Sequence, residues 1–248
     1  MTLHRDVVPG IHRLEYAHTN QYLVENGDRL VLIDAGLPRS YPALVSAIRE
    51  LGRDTDAVSD LIITHGHFDH VGTARRLAKE WHLPVHVHDA DAWLASHPYR
   101  YAHQNLTRFG VPLRNPRSLA VLGRMTIAGA LAVRGVDPST ITRFGDDAVL
   151  PGGAAVIATP GHTFGHVSLH FPERNAVIAG DALVTLDPYT AATGPRMIAG
   201  SATADLERNR SSLDALAATG ADTLLPGHGV PWHHGVAVAV ERARGTDG

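Results

Sequence analysis

The sequence predicts a mixed α/β protein of the α+β kind, with two β-rich halves packed sheet on sheet and helices outside. Three observations carry that expectation. Short apolar runs bounded by turn residues cluster in two separate parts of the chain, and stretches of helical period follow each cluster. Neither a short-period repeat nor a low-complexity tract points to a solenoid or a disordered arm. At 248 residues the chain is long enough to bury a substantial core.

Residues 11–16, 21–25 and 30–34 are short and apolar-rich and read as strands, with a hairpin signal at Asn26-Gly27-Asp28 between the last two. After Ala35-Gly36, residues 41–51 carry Leu44, Val45 and Ile48 among charged positions, which predicts a helix. A strand over 61–64 runs into a histidine-rich turn, followed by a helix at about 73–81 and a strand at 85–88. Residues 89–145 break the pattern. Aromatic and basic residues (Trp93, Tyr99, Arg100, Tyr101, His103, Arg108, Phe109) precede an apolar segment over 117–135, and two or three helices are predicted there. Strands resume at 148–150, 155–159, 167–171 and 176–179. A helix over about 204–218 puts Leu206, Leu213, Leu216 and Ala217 on one face, and a strand at 223–225 and a helix near 236–243 complete the chain.

Hydrophobic residues make up 44% and charged residues 19%, as in ordinary soluble globular proteins. A net charge of -3 gives no electrostatic footprint for nucleic acid. There is no cysteine, which excludes disulfides and thiolate sites, so any metal must sit on imidazole and carboxylate. Residues 1–6 are followed by no apolar run of signal-peptide length. The longest apolar stretch, 119–133, is interrupted by Arg124 and is too short to span a bilayer. The expectation is a cytoplasmic protein that acts on a small molecule and engages neither membrane nor nucleic acid.

The run His65-Gly66-His67-Phe68-Asp69-His70 packs four potential metal ligands into six positions, directly behind Leu61-Ile62-Ile63-Thr64. Three more candidates sit in glycine-marked turns: His162 in Thr159-Pro160-Gly161-His162, Asp181 after Gly180, and His228 in Pro226-Gly227-His228-Gly229. Each follows an apolar strand, so all seven can converge on one edge of the core. Seven ligands exceed the needs of one tetrahedral ion and suit two. Imidazole with carboxylate selects zinc, manganese, iron or cobalt over calcium or magnesium. In an extended turn His65 and His67 project to the same side, while Asp69 and His70 begin the next helix and face a second ion. Two such cations lower the pKa of a shared water toward neutrality and polarise a carbonyl or phosphoryl oxygen, which makes hydrolysis the natural reaction class.

Thr64-His65-Gly66-His67-Phe68-Asp69-His70 resembles the HxHxDH signature of the metallo-β-lactamase superfamily. Thr159-Pro160-Gly161-His162-Thr163, Gly180-Asp181 and Gly227-His228 match the later motifs in order. Ile33-Asp34-Ala35-Gly36 is similar to the family's early D-[TS]-G turn, with Ala in the middle place. The resemblance covers nearly the whole chain. It implies a four-layer αββα sandwich of two β-sheets with outer helices, as a single domain over 1–248 with a helical insert at about 89–145 between its halves. It also implies that His65, His67 and His162 hold one divalent metal ion and Asp69, His70 and His228 a second, with Asp181 bridging them. Zinc is the expected metal, with iron or manganese as alternatives. Asp69 would act catalytically by orienting the metal-bridging hydroxide, and Asp34 would support the ligand turn from behind. The implied function is a dinuclear metal-dependent hydrolase of a carboxylic ester, thioester or lactone.

The surroundings of these motifs separate the sub-families. N-acyl homoserine lactonases place a tyrosine three residues after the bridging aspartate, where this chain has Val184, and Tyr189 lies further on. Glyoxalase II enzymes carry a basic C-terminal helical region for glutathione, a feature not apparent after His228. β-Lactamases are usually exported, and nuclease members need a basic channel. A β-lactam hydrolase, a mononuclear-iron oxidoreductase resembling sulfur dioxygenases, and a metal-binding protein without catalysis stand as alternatives. Tyr99, Tyr101, His103, Arg108 and Tyr189 are the candidate pocket residues.

Structural readings stand beside the functional ones. His4, His12, His18, His82, His233 and His234 read as surface residues, and His86 and His88 as the polar face of their strand. His166 either hydrogen-bonds near the site or serves the core. Asp34 has the further reading of a simple turn cap. Gly161, Gly180 and Gly227 read as turn formers. The segment 117–135 is either an amphipathic packing helix or a wall over the metal site.

Overall fold

The computed structural model describes residues 2–104, 115–146 and 148–246, so Arg108 and Phe109 lie outside the described residues. Strands β1 (Thr2–Val8), β2 (Ile11–Tyr16), β3 (Thr19–Asn26) and β4 (Arg29–Ile33) form an antiparallel meander. Helix α1 (Tyr41–Glu50) leads to β5 (Val58–Ile63), and α2 (Ala74–Glu80) leads to β6 (Val85–His88). Helices α3 (Ala92–Ser96) and α4 (Pro116–Ile127) precede β7 (Ile141–Phe144). From β4 onward the pairing is parallel, and the seven strands form one sheet in chain order.

The second sheet draws on β8 (Val149–Leu150), β9 (Ala154–Ala158), β10 (Val167–Phe171) and β11 (Ala176–Gly180). A small hairpin of β12 (Val184–Leu186) and β13 (Thr193–Arg196) follows, then helix α5 (Leu206–Ala217). Strand β14 (Thr223–Pro226) joins β11 in parallel, so the order is β14-β11-β10-β9-β8, and helix α6 (Val236–Gly245) ends the described chain.

The two-residue period of the strands sorts side chains into layers. On β4, Leu30 and Leu32 pack with Leu44, Ile48 and Leu77 of α1 and α2, while Val31 and Ile33 face the second sheet. On β11, Ala176 and Ile178 face the first sheet, while Val177 and Ala179 pack with Leu213 and Leu216 of α5 and Val236 and Val240 of α6. Both sheets are thus apolar on two faces, and the result is an αββα sandwich. A one-residue slip in β4 would exchange its two apolar sets, so packing on both sides holds its register.

Four features differ from the sequence expectation. Strand β1 is an addition to it: an edge strand, exposed or half-buried except at Val8, paired only to β2 and irregular between His4 and Val8. The segment 89–145, expected to hold two or three helices, also contains a strand: it ends in β7, which pairs with β6 through Val85↔Ile141 and His88↔Phe144. Strand β7 is also an edge, and among its residues only Phe144 enters the core between the sheets, so its pattern is faint. The hairpin β12–β13 is a further addition, a two-stranded unit with a proline inside β13. His12, expected at the surface, is buried, because its ring accepts from the Asp6 N–H (3.0 Å) and reaches Glu25 Oε1 (3.3 Å) on neighbouring strands. His86 and His88 do form a polar face, against Asp60 (2.8 Å) and Asp146 (3.1 Å).

Helix α4 is capped by Asn115, whose side chain accepts from the Arg117 N–H, and it buries Ser118, Val121 and Met125 while exposing Leu119 and Ile127. Within the segment 117–135 the helix stops at Ile127, and Met125 belongs to the helix-side core while also bordering the histidine cluster. Among the described residues no helix is long and apolar enough to cross a membrane.

Candidate metal centre

All the sequence-predicted turns meet at one edge of the two sheets, and buried hydrogen bonds shape each of them. Strand β4 leads directly into Asp34, whose φ of 60° lies in the left-handed region, where aspartate is among the few tolerated non-glycine residues. From there its carboxylate takes the Thr64 N–H (2.8 Å), the Thr64 hydroxyl, and His70 Nδ1 (2.8 Å). Asp34 therefore fixes the end of β5 and turns His70 so that Nε2 faces the cluster. The reading of Asp34 as only a turn cap is too small.

The other rings are held in the same way. His65 Nδ1 meets the Thr64 hydroxyl at 3.1 Å, His162 Nδ1 the Thr203 hydroxyl at 3.2 Å, and His228 Nδ1 donates to the His18 carbonyl at 2.7 Å. His67 is turned the other way, with Nδ1 2.9 Å from His162 Nε2. His166 accepts the Asp181 N–H on Nε2 (2.9 Å) and bonds the Thr159 hydroxyl through Nδ1 (2.8 Å), so it positions Asp181 from beneath. Burial lowers its pKa to about 3, which keeps the ring neutral for that task.

Asp91 escaped the sequence reading. It is buried, and it accepts from the Gly66 N–H (2.8 Å), the Thr163 hydroxyl (2.7 Å) and the Gly165 N–H (2.8 Å). One carboxylate thereby ties the 65–70 turn to the 159–166 turn. Burial pushes its pKa up, opposed by those three donors. The available signal was weak: an aspartate at the start of a short helix, twenty-five residues from its main-chain partner at Gly66.

Asp181 Oδ2 lies 3.2 Å from His228 Nε2, 3.5 Å from both His70 Nε2 and His162 Nε2, and 3.8 Å from His65 Nε2. Asp69 Oδ2 lies 3.2 Å from His228 Nε2 and 3.8 Å from His70 Nε2. Ligand atoms of His65, His67 and His162 lie within 4.8 Å of one another, as do those of Asp69, His70 and His228, and of His65, His70 and Asp181. All seven residues are at most 5% exposed. His65 Nε2, His67 Nε2, His70 Nε2 and Asp181 Oδ1 are buried with no hydrogen-bond partner. Four orphaned polar atoms in one place are costly unless something else satisfies them. Nitrogen and carboxylate donors converging from several sides fit divalent cations of the zinc or iron type.

Electrostatics divides the cluster. Burial holds His65 and His162 well below the usual imidazole range and His67 at about 4, so these rings are neutral donors. Burial opposes charge on His70 and His228 too, but Asp181 and Asp69 outweigh it, raising His70 well above its ordinary value and His228 to about 10. The same two histidines keep Asp181 and Asp69 ionised against the burial that would raise them.

A tight pocket opens on the cluster, and Phe68, Met125, Pro188, Tyr189, Ile198 and Ala202 wall it. Tyr189 is thus at the site, and Tyr101 stands 4.6 Å from the His67 ring and hydrogen-bonds Tyr189. Tyr99 is set back: its hydroxyl donates to the Ala130 carbonyl and accepts the Val133 N–H, both at 2.8 Å, while its ring stacks on Phe68. His103 meets Tyr101 edge to face at 6.5 Å.

Two glycines are required by what lies against them. Gly161 has φ 136°, and a Cβ there would strike the Asn209 backbone. Gly227 has an ordinary φ, but a Cβ would overlap Asp181 Oδ1 and press on His70. Gly227→Ala is therefore expected to keep the fold, move Asp181, and lower metal content and hydrolysis by about ten-fold or more, the scale of losing a ligand's support. Metal analysis beside a melting curve checks this, and a variant with full metal content and activity would refute it.

An αββα sandwich with buried imidazoles and carboxylates gathered where its strands end defines a metallo-hydrolase. The sequence profile of the metallo-beta-lactamase superfamily matches residues 16–228, and the chain belongs to that superfamily. It is 27% identical over 246 residues to the probable metallo-hydrolase YflN of Bacillus subtilis (strain 168), spanning 91% of this chain and 86% of the relative. Among solved structures it superposes on the metallo-beta-lactamase family protein TTHA1429 from Thermus thermophilus with a TM-score of 0.66 at 21% identity, covering 95% of this chain and 78% of the other. TTHA1623 in a di-iron-bound form gives a TM-score of 0.65 at 26% identity, covering 94% and 98%.

Proposed function

We propose that this protein is a dinuclear metal-dependent hydrolase that cleaves a carboxylic ester, thioester or lactone. The observation that carries the reading is the pair of buried triads flanking Asp181, with ring nitrogens and a carboxylate oxygen that no protein group satisfies. His65, His67 and His162 would hold one ion, Asp69, His70 and His228 the other, and Asp181 would contact both. When bound, such ions supply Lewis acidity and make water nucleophilic near neutral pH.

The chain's own groups account for the rest of the chemistry. Asp69 stays ionised beside His70 and His228, so its carboxylate can accept a hydrogen bond from the attacking water and set its direction. Tyr189 is buried, which raises its pKa far above the usual phenol range and keeps the hydroxyl protonated as a donor to a carbonyl or leaving oxygen. Phe68, Met125, Pro188, Ile198 and Ala202 surround these groups with apolar surface in a tight pocket, which excludes bulk water from them. Asp187 holds the Tyr189 loop by accepting the Tyr189 N–H (2.9 Å) and the Thr190 hydroxyl (2.7 Å).

Metal analysis combined with a hydrolysis panel of thioesters, lactones, aryl esters and a chromogenic β-lactam tests the reading. Iron is measured beside zinc because TTHA1623 was solved with iron. About two ions per chain, with turnover lost on chelation and restored by zinc, is the expected result. Undiminished activity in metal-stripped protein would overturn the mechanism. One iron with oxygen consumption would make the protein an oxidoreductase, cleavage of the β-lactam alone would make it a β-lactamase, and a flat panel would leave it a metal-binding protein.

A further inference from the structure

A cavity of about 640 Å³ borders His228 through its neighbours His18, Thr185 and Gly229. Five elements build it: strand β2, the turn between β2 and β3, helix α4, the β12–β13 hairpin, and the segment after His228. It shares a wall with the metal centre. The His18 carbonyl, in the lining, accepts from His228 Nδ1, and Thr185, also in the lining, donates its N–H to the His228 carbonyl. The cavity's size is that of a site for a small organic molecule.

Two guanidinium groups face this space. Arg13 is 5% exposed, donates Nη1 to the Gly229 carbonyl at 2.6 Å, and has a buried Nε with no partner. Arg124 reaches across from α4, and its Nη1 lies 3.1 Å from His18 Nε2. The described arginine–carboxylate pairs are Arg53–Asp28, Arg75–Asp137, Arg76–Glu80 and Arg244–Asp214; neither Arg13 nor Arg124 is among them. Glu15 also lines the cavity, with Oε1 engaged by the His18 N–H at 2.8 Å. Val230 and Trp232 supply apolar wall on the far side. A buried guanidinium with an unpartnered Nε, a second guanidinium outside the described carboxylate pairs, and an adjoining apolar wall form an arrangement that recognises an anion attached to an apolar group.

We infer that this cavity binds the carboxylate or phosphate end of a small, partly apolar molecule through Arg13 and Arg124. Its identification as the substrate's anionic end rests on the hydrolase reading, whereas binding itself does not.

The test titrates 4-phenylbutyrate, and separately its neutral amide, into the purified full-length protein by calorimetry. The acid is expected to bind about ten-fold more tightly than the amide, and Arg124→Gln to erase that difference. Arg124 is exposed on α4, so this variant folds; Arg13→Gln should weaken binding as well and is read only beside its melting curve. Equal affinity for acid and amide, no binding of either, or undiminished binding of the acid by Arg124→Gln would overturn the inference. Coordination of the carboxylate by a metal would fall in the last class, because it does not depend on Arg124. Competitive inhibition of aryl-ester hydrolysis by 4-phenylbutyrate places the bound anion on the substrate's path. Arg124-dependent binding in a protein that hydrolyses nothing sustains the anion site and sinks the hydrolase reading instead.

Discussion

Asp181→Asn is expected to lower kcat/KM on the order of a thousand-fold, equivalent to about 4 kcal/mol of lost transition-state stabilisation. Among the described carboxylates Asp181 lies against the most candidate ligands: Oδ2 is within 3.8 Å of Nε2 on His65, His70, His162 and His228. The amide keeps the shape, and the main-chain N–H bond to His166 is untouched. What changes is charge and lone pairs at the meeting point of both triads, where an amide N–H₂ would face cations or imidazolium rings. The fold should survive, because Asp181 makes no side-chain hydrogen bond to the layers beneath it and the sandwich core lies elsewhere. Metal content per chain, kcat/KM on whichever panel substrate is cleaved, and a melting curve read the outcome together. A variant that keeps both ions and its full rate would show that Asp181 is not shared between them.

The candidate site was legible because its ligands are chemically conspicuous and local. Four of the seven lie in six consecutive residues, and the other three follow strands whose apolar runs are unambiguous. The central strands were legible for the same reason, since β4 and β11 and the 61–63 end of β5 are buried and read as nearly continuous apolar runs. Edges were not. Strands β1 and β7 expose much of their length, so the alternation that marks a strand is diluted by residues that face water. Apart from Asp34 and His166, residues that support the ligands were also hidden, because support is a property of pairs distant in sequence. His18 acts through a main-chain carbonyl, for which side-chain identity carries no signal, and Arg13 meets Gly229 across 216 residues.

Asp91 is the clearest of these hidden supports, and Asp91→Ala is expected to destabilise the fold and the site together. Removing the carboxylate strands the Gly66 N–H, the Thr163 hydroxyl and the Gly165 N–H in a buried place. At about 1–3 kcal/mol for each unsatisfied buried donor, the loss should reach about 3 kcal/mol even after local relaxation. For a chain of this length that corresponds to a fall in Tm of about 6–12 °C. The two turns released are those that carry His65 and His67 on one side and His162 on the other, which is the first triad in full. Metal affinity and turnover should therefore fall about 10- to 100-fold, as when a ligand loses its orienting partner. Asp91→Asn separates the two effects. Its amide oxygen can still serve the Gly66 N–H and the Thr163 hydroxyl, leaving only the Gly165 N–H opposed, so both losses should be smaller than for alanine. Melting curves with and without added zinc, beside metal titrations of both variants, decide the matter. An alanine variant that melts like the parent, or one that melts early yet binds metal as tightly, would mean that Asp91 does not hold the two turns in register.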